Sequence, residues 1–307
     1  MHEVISFYAM VNDDSEPPAP IISDGVLLDN TILEIIGEAK ARKSFLALNF
    51  AVAIAKGDGF AGFKVSKPQK VLVLSAEGGF YPNRERIKKI TMNESDDTLK
   101  NVHYLKYANI SIDNDSHYDD LTELIRRTNP KVVIFDPLIK FHSQDENSSS
   151  GMSIVFRRFR EIIENFNLSI VVVHHTGKNL SQGGRGSSFM TGEYDSCITL
   201  SKARSGENNH RIRFDMRHVE TTVPWQLIFN AESFWFEVND TVKDATVDYL
   251  VENGSTSRSE VVNDWISNDT FSRSYCYKVI DKSLEAGHIV EQDGLLMLPA
   301  GEDEEET

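Results

Sequence analysis

Cysteine is almost missing from this chain of 307 residues. Cys197 and Cys276 are the only two, and neither has a partner at metal-ligand spacing, so neither a disulfide framework nor a zinc site is predicted. A reducing, cytoplasmic setting fits that usage. Also missing is any apolar run near the roughly 18 residues of a membrane span. Where a secretion signal would have a basic start, the N-terminus has Glu3, Asp13, Asp14 and Glu16, and its apolar run stops at Val11. Positive charge is in deficit: 32 Lys and Arg stand against 47 Asp and Glu, a formal net charge of -15. That argues against a generally basic nucleic-acid coat protein. A local basic channel remains open, because part of the excess is confined to the tail residues Glu302, Asp303, Glu304, Glu305 and Glu306. With 40% hydrophobic residues, the length supports one large core and a small second domain.

What is present is organised around residues 31 to 57, TILEIIGEAKARKSFLALNFAVAIAKG. A run rich in β-branched residues, a polar GEAKARKS loop and an Ala/Leu-rich segment read as strand, loop and helix. Phosphate binding uses that order, since a helix N-terminus offers unpaired N–H groups and partial positive charge. The spacing Gly37-x5-Lys43-Ser44 is that of the Walker A loop, in which Gly37, Glu38, Ala39, Lys40, Ala41 and Arg42 wrap the phosphates. Lys43 reaches the β/γ-phosphates and Ser44 holds Mg2+. Arg42 departs from the pattern, which has glycine there, and a non-glycine residue at positive φ costs on the order of 1 kcal/mol or more.

Downstream, KVLVLSAEGG is a buried strand delivering Glu77 at its carboxyl end, and KVVIFD (131 to 136) has the Walker B form, closing on Asp136. SIVVVHH is another buried strand with His174 and His175 at the same edge; a His pair is more often structural than catalytic, but this one lies beside Glu77 and Asp136. Residues 183 to 195 form a glycine-punctuated loop with Arg185, either a flexible surface loop or an arginine reaching the γ-phosphate of an adjacent subunit. From Cys197 to Val238, short β-rich runs alternate with turns, as antiparallel strands extending the sheet would. Lys202, Arg204 and Arg211 make the loop near 205 to 210 basic, a candidate contact for single-stranded DNA.

At the two ends the readings stay open. Val4–Val11 is an apolar patch cut off by the connector NDDSEPPAP, and is either a cap on its own core or a segment docking on a neighbouring subunit. After Asn239, three helices (241 to 252, 257 to 267, 272 to 286) and a hairpin have the winged-helix order, which serves DNA or protein contact. The expected organisation is an arm over 1–24, an ATPase domain over 25–239, a winged-helix domain over 240–299 and an acidic, disordered tail over 300–307.

With those residues in place, the chain over about 28 to 200 resembles the RecA-like hexameric DNA helicases related to plasmid RepA, in the same broad group as the DnaB and KaiC ATPases. The resemblance rests on GEAKARKS, LSAEGG, VIFDPLIKFH with DENSSSG, HHTGK and the RGSS loop, in that order. It implies an α/β fold: a RecA-like P-loop ATPase core with a mainly parallel sheet, plus the small winged-helix domain, which lies outside the family pattern. It implies ATP and Mg2+ as cofactors, with Lys43 on the phosphates and with Ser44 and Asp136 at the metal. Glu77 is then the activator of water, His175 the γ-phosphate sensor and Arg185 the finger supplied across an interface. The implied activity is ATP-dependent DNA unwinding or translocation by a homo-oligomeric, hexameric ring in replication, with single-stranded DNA and a replication protein as partners and no membrane. Two other readings stand beside it: a RecA- or KaiC-type ATPase that remodels DNA or protein without unwinding, and a nucleotide-sensing winged-helix regulator.

Overall fold

The computed structural model describes residues 4–106, 108–175, 192–203, 208–219, 225–238, 245–268, 273–285 and 287–299. A short helix α1 (Phe7–Val11) precedes β1 (Ile32–Gly37) and α2 (Lys43–Lys56). Then come β2 (Val71–Ser75), α3 (Phe80–Ile90), α4 (Asp96–Lys100), β3 (Val102–Leu105), α5 (Asp115–Thr128) and β4 (Val132–Asp136). A single 3-10 turn, Leu138–Lys140, leads to α6 (Ser149–Phe166), β5 (Ser169–His175), β6 (Ser196–Lys202), β7 (Asn209–Met216), β8 (Trp225–Phe229) and β9 (Phe236–Val238). The C-terminal part holds α7 (Ala245–Asn253), β10 (Thr256–Ser257), α8 (Arg258–Ser267), α9 (Arg273–Glu285), β11 (Val290–Gln292) and β12 (Leu295–Met297).

One sheet carries the order β3-β2-β4-β5-β1-β6-β7-β8-β9. The near-continuous Val/Ile/Leu runs of β1, β2, β4 and β5 belong to strands covered on both faces, as parallel strands require. Their pairings are parallel, and β7, β8 and β9 are added antiparallel. In β6 the structure corrects the expectation of an antiparallel strand: it pairs in parallel with β1, Leu33 opposite Ser196. The reason is topological. The twenty residues between His175 and Ser196 are long enough to return the chain to the amino edge before β6 begins.

Helix α2 is apolar on nearly every side because it is buried on nearly every side, with Leu46, Phe50, Ala51 and Ile54 packed on one face of the sheet. It ends at Gly57, whose φ of 73° closes the last turn. On the other face, α5 and α6 cover Ile32, Ile36, Val133, Phe135 and Val172. They start on side-chain caps, Asn114 and Ser148. The central core already includes Ile21 and Ile22.

The C-terminal elements have a core of their own, from Leu250, Val261, Trp265, Ile280 and Leu296. A capping box of Ser257 and Glu260 opens α8, and the Asp293-Gly294 turn, both residues at positive φ, joins β11 to β12. The strand order there is β10-β12-β11. Both cysteines are buried and unpaired, as expected. No helix among the described residues is long and apolar enough to cross a membrane. The tail lies outside the described residues.

Candidate nucleotide site

The chain reverses direction in the sheet between β1 and its neighbours, and such a switch point opens a crevice at the carboxyl ends of the strands. Four elements deliver polar side chains there. β1 ends in Gly37, where β6 crosses so closely that a Cβ would lie 2.1 Å from the Leu200 carbonyl oxygen. Only glycine fits that approach. The loop then turns through Lys40 and Arg42, at φ 65° and 67°. Two left-handed non-glycine residues cost roughly 1–2 kcal/mol each. At Arg42 the side chain offsets the strain: its guanidinium lies 4.2 Å over the Phe229 ring and donates a 2.8 Å hydrogen bond to Asn208 Oδ1. A cation–π contact is worth about 0.5–2 kcal/mol, so arginine holds a conformation that glycine would adopt freely.

Helix α2 begins directly after Arg42 with no side chain capping it, unlike α5, α6 and α8. Its first turn is therefore available to an anion. Lys43 is buried there, and its Nζ donates to the carbonyl oxygens of Gly37 and Glu38, both at 2.9 Å, and lies 2.9 Å from His175 Nδ1. Burial pushes the ammonium down to about 8, against the pull of Asp136, Glu38 and Glu77. Ser44 Oγ donates to Asp136 Oδ1 at 3.0 Å. Burial raises Asp136 to about 6, the hydrogen bond from Ser44 opposes this, and the charge of Glu77 adds to it. A desolvated cation at an uncapped helix start, beside a buried hydroxyl and carboxylate, fits a phosphate group and a divalent cation: each would supply the opposite charge that burial has removed. His175 is lowered by burial and by Lys43.

Glu77 follows β2, whose Ser75 pairs with Asp136, so Glu77 faces the same edge. The structure thus brings Gly37, Glu38, Lys43, Ser44, Glu77, Asp136 and His175 together. Ala39, Lys40, Ala41 and Arg42 form the loop between them. Lys202 is exposed at the end of β6, while Arg211 on β7 is half-buried, lowered by that burial and partly restored by Asp248 and Glu252. Arg185 and Arg204 lie outside the described residues.

Alternation along β5 separates the two histidines. His175 faces α2 and Lys43; His174 faces the opposite layer, where it is 1% exposed. There its Nδ1 lies 3.0 Å from Glu34 Oε1, and its Nε2 lies 3.2 Å from Glu146 Oε1, at ion-pair distance but outside hydrogen-bonding geometry. Burial alone would lower the imidazole; the two carboxylates outweigh it and raise it to about 9. Sequence reasoning missed this triad, although a glutamate inside the apolar run of β1 was a visible signal. Because the folded value exceeds the ordinary 6.5, the stabilisation is complete below pH 6.5 and is lost as pH rises through about 9. The urea midpoint should therefore fall between pH 7 and pH 9.5. His174→Leu should lower stability by about 3–5 kcal/mol at pH 7, because it strands two buried carboxylates, and should flatten that pH dependence. An unchanged pH slope in the variant would assign the dependence elsewhere.

Sheet order, uncapped helix and carboxyl-edge site together define a RecA-type nucleotide-binding fold. The family model of the AAA domain matches residues 7–181, more than half of the chain, and the chain belongs to that family. Among solved structures it is similar to a phage-type ring-free fragment described simply as an ATPase domain, at 15% identity and a TM-score of 0.52, over 69% of this chain and 85% of that one. A DnaB-like replicative helicase, described with its interactions with primase, matches at 15% identity and a TM-score of 0.52, over 68% of this chain and 57% of that one. The RadB recombinase matches at 14% identity and a TM-score of 0.50, over 69% and 92%. Comparison with curated proteins gives no match.

Proposed function

We propose that the protein is an ATP hydrolase that works as an oligomeric, hexameric ring and moves along single-stranded DNA as a replicative helicase. The observation that carries the reading is the gathering of Lys43, Ser44, Glu77, Asp136 and His175 at one strand edge, in a fold similar to DnaB-like helicase ATPase domains. Lys43 and the start of α2 bind the phosphates; Ser44 and Asp136 hold Mg2+, which when bound neutralises charge developing on the transferred phosphoryl group. Glu77 takes the proton of the attacking water. His175, already against Lys43, reads the γ-phosphate, and Arg185 completes the site of a neighbouring subunit. Lys202, Arg204 and Arg211 contact the DNA backbone.

The arm supports assembly. Val4, Phe7, Tyr8 and Val11 are each at least 80% exposed, so the arm does not cap its own core. An apolar groove lined by Leu48, Val52, Ile87, Ile90 and Leu99 suits such a segment from a second copy. Phe7→Asp with Val11→Asp should reduce the mass in light scattering to that of a monomer; an unchanged mass would place the interface elsewhere.

The C-terminal elements have the winged-helix order, and we assign them to a replication protein. Their Arg258 is engaged by Asp281 and Glu291, which lessens its availability to DNA. The RadB likeness favours a second reading, remodelling without unwinding. Strand displacement on a forked duplex with ATP separates the two, and oligo-dT affinity that ignores salt and the Lys202→Ala/Arg211→Ala change would remove the DNA contact.

A further inference from the structure

Glu77 sits on a turn that apolar packing does not hold. A cavity of about 330 Å³ opens beside it, lined by Glu77, Gly79, Phe80, Tyr104 and Lys140 among others. The next residue, Gly78, is at φ +81°, a conformation glycine enters and leaves at little cost. The restraints are polar. Before Glu77, the Ala76 N–H donates to the Asp136 carbonyl at 3.0 Å. After it, the Glu77 carbonyl accepts a 2.7 Å hydrogen bond from Nδ2 of Asn83, on the first turn of α3.

Asn83 is only 3% exposed and its side chain is fully engaged. Nδ2 also donates to Tyr104 Oη at 2.9 Å, and Oδ1 accepts from Arg86 Nη1 at 3.2 Å. These partners set the amide's orientation, since turning it over would point Oδ1 at the Glu77 carbonyl and the NH2 group at a guanidinium. Arg86 is itself stacked over the Phe45 ring at 4.5 Å, next to Ser44, and its charge reaches Asp136. One buried amide thus links the turn carrying Glu77 to β3 and to the helix that starts at the phosphate loop.

We propose that Asn83 is a positioning residue for Glu77: its buried amide fixes the turn from which the carboxylate addresses the attacking water. The assignment rests on Glu77 being the base. Displacing a reacting group by about 1 Å costs on the order of 10²-fold in rate, and the adjoining cavity gives the turn room for such a shift.

The test compares kcat and KM for ATP, with thermal midpoints, in full-length wild type, Asn83→Ala, Asn83→Asp, Glu77→Gln and the Asn83→Ala/Glu77→Gln double variant. Asn83→Asp keeps the shape and can pair with Arg86 but cannot donate to Glu77, so it folds like wild type. Its kcat should fall ~10²-fold while KM changes little. In the Glu77→Gln background, Asn83→Ala should add no further loss. Wild-type kcat in Asn83→Asp, or the same fractional loss in both backgrounds, overturns the proposal. Full activity in Glu77→Gln overturns the base assignment beneath it, a separate and recognisable result.

Discussion

Lys43→Ala will bind ATP ~10- to 100-fold more weakly and will not turn it over. The binding loss corresponds to removing one charged hydrogen-bonding partner, about 1.5–3 kcal/mol, from a phosphate group. The turnover loss is larger because the same ammonium would balance charge that grows on the transferred phosphoryl group. Its present environment explains why the site waits for an anion: burial makes the charge costly, and two carbonyl oxygens and His175 compensate only in part. Circular dichroism should show an intact fold, since Lys43 supports no part of the apolar core. Calorimetric titration and phosphate release check the two effects separately. Equal ATP affinity in wild type and Lys43→Ala would remove the site assignment.

Glu77→Gln should give the contrasting phenotype. The amide keeps the size of the side chain and its place in the turn but cannot accept the proton, so turnover falls ~10²- to 10⁴-fold while ATP stays bound. The split distinguishes a group that binds phosphate from one that acts on water. A parallel loss of affinity would mean that Glu77 is holding the site together.

Much of this was legible in the sequence because it depends on local order. Strand, polar loop and apolar helix in succession place Lys43 at a helix start whatever the rest of the chain does, and runs such as VLVL, VVIF and SIVVV are suited to strands covered on both faces. Segment-to-segment contacts were not legible. Nothing in KARKS indicates that Arg42 would lie over Phe229 and bond to Asn208, residues more than 160 positions away that β7 and β8 bring against the loop. Asn83 reads as an ordinary polar residue of α3 until the Glu77 carbonyl is found beside it. The HH pair was visible; its division between two layers follows from strand alternation once β5 is known to include both residues. Parallel pairing of β6 could not be read from CITL, because the direction of a strand depends on the path of the connection before it.

The most direct test of the central claim is a crystal structure of the protein with Mg2+ and a non-hydrolysable ATP analogue. The account predicts the phosphates against the first turn of α2, with Lys43 Nζ turned from the Gly37 and Glu38 carbonyls toward them. It also predicts that the Ser44–Asp136 hydrogen bond opens as both oxygens turn to the metal. Phosphates bound elsewhere, or that bond intact beside a bound nucleotide, would contradict it.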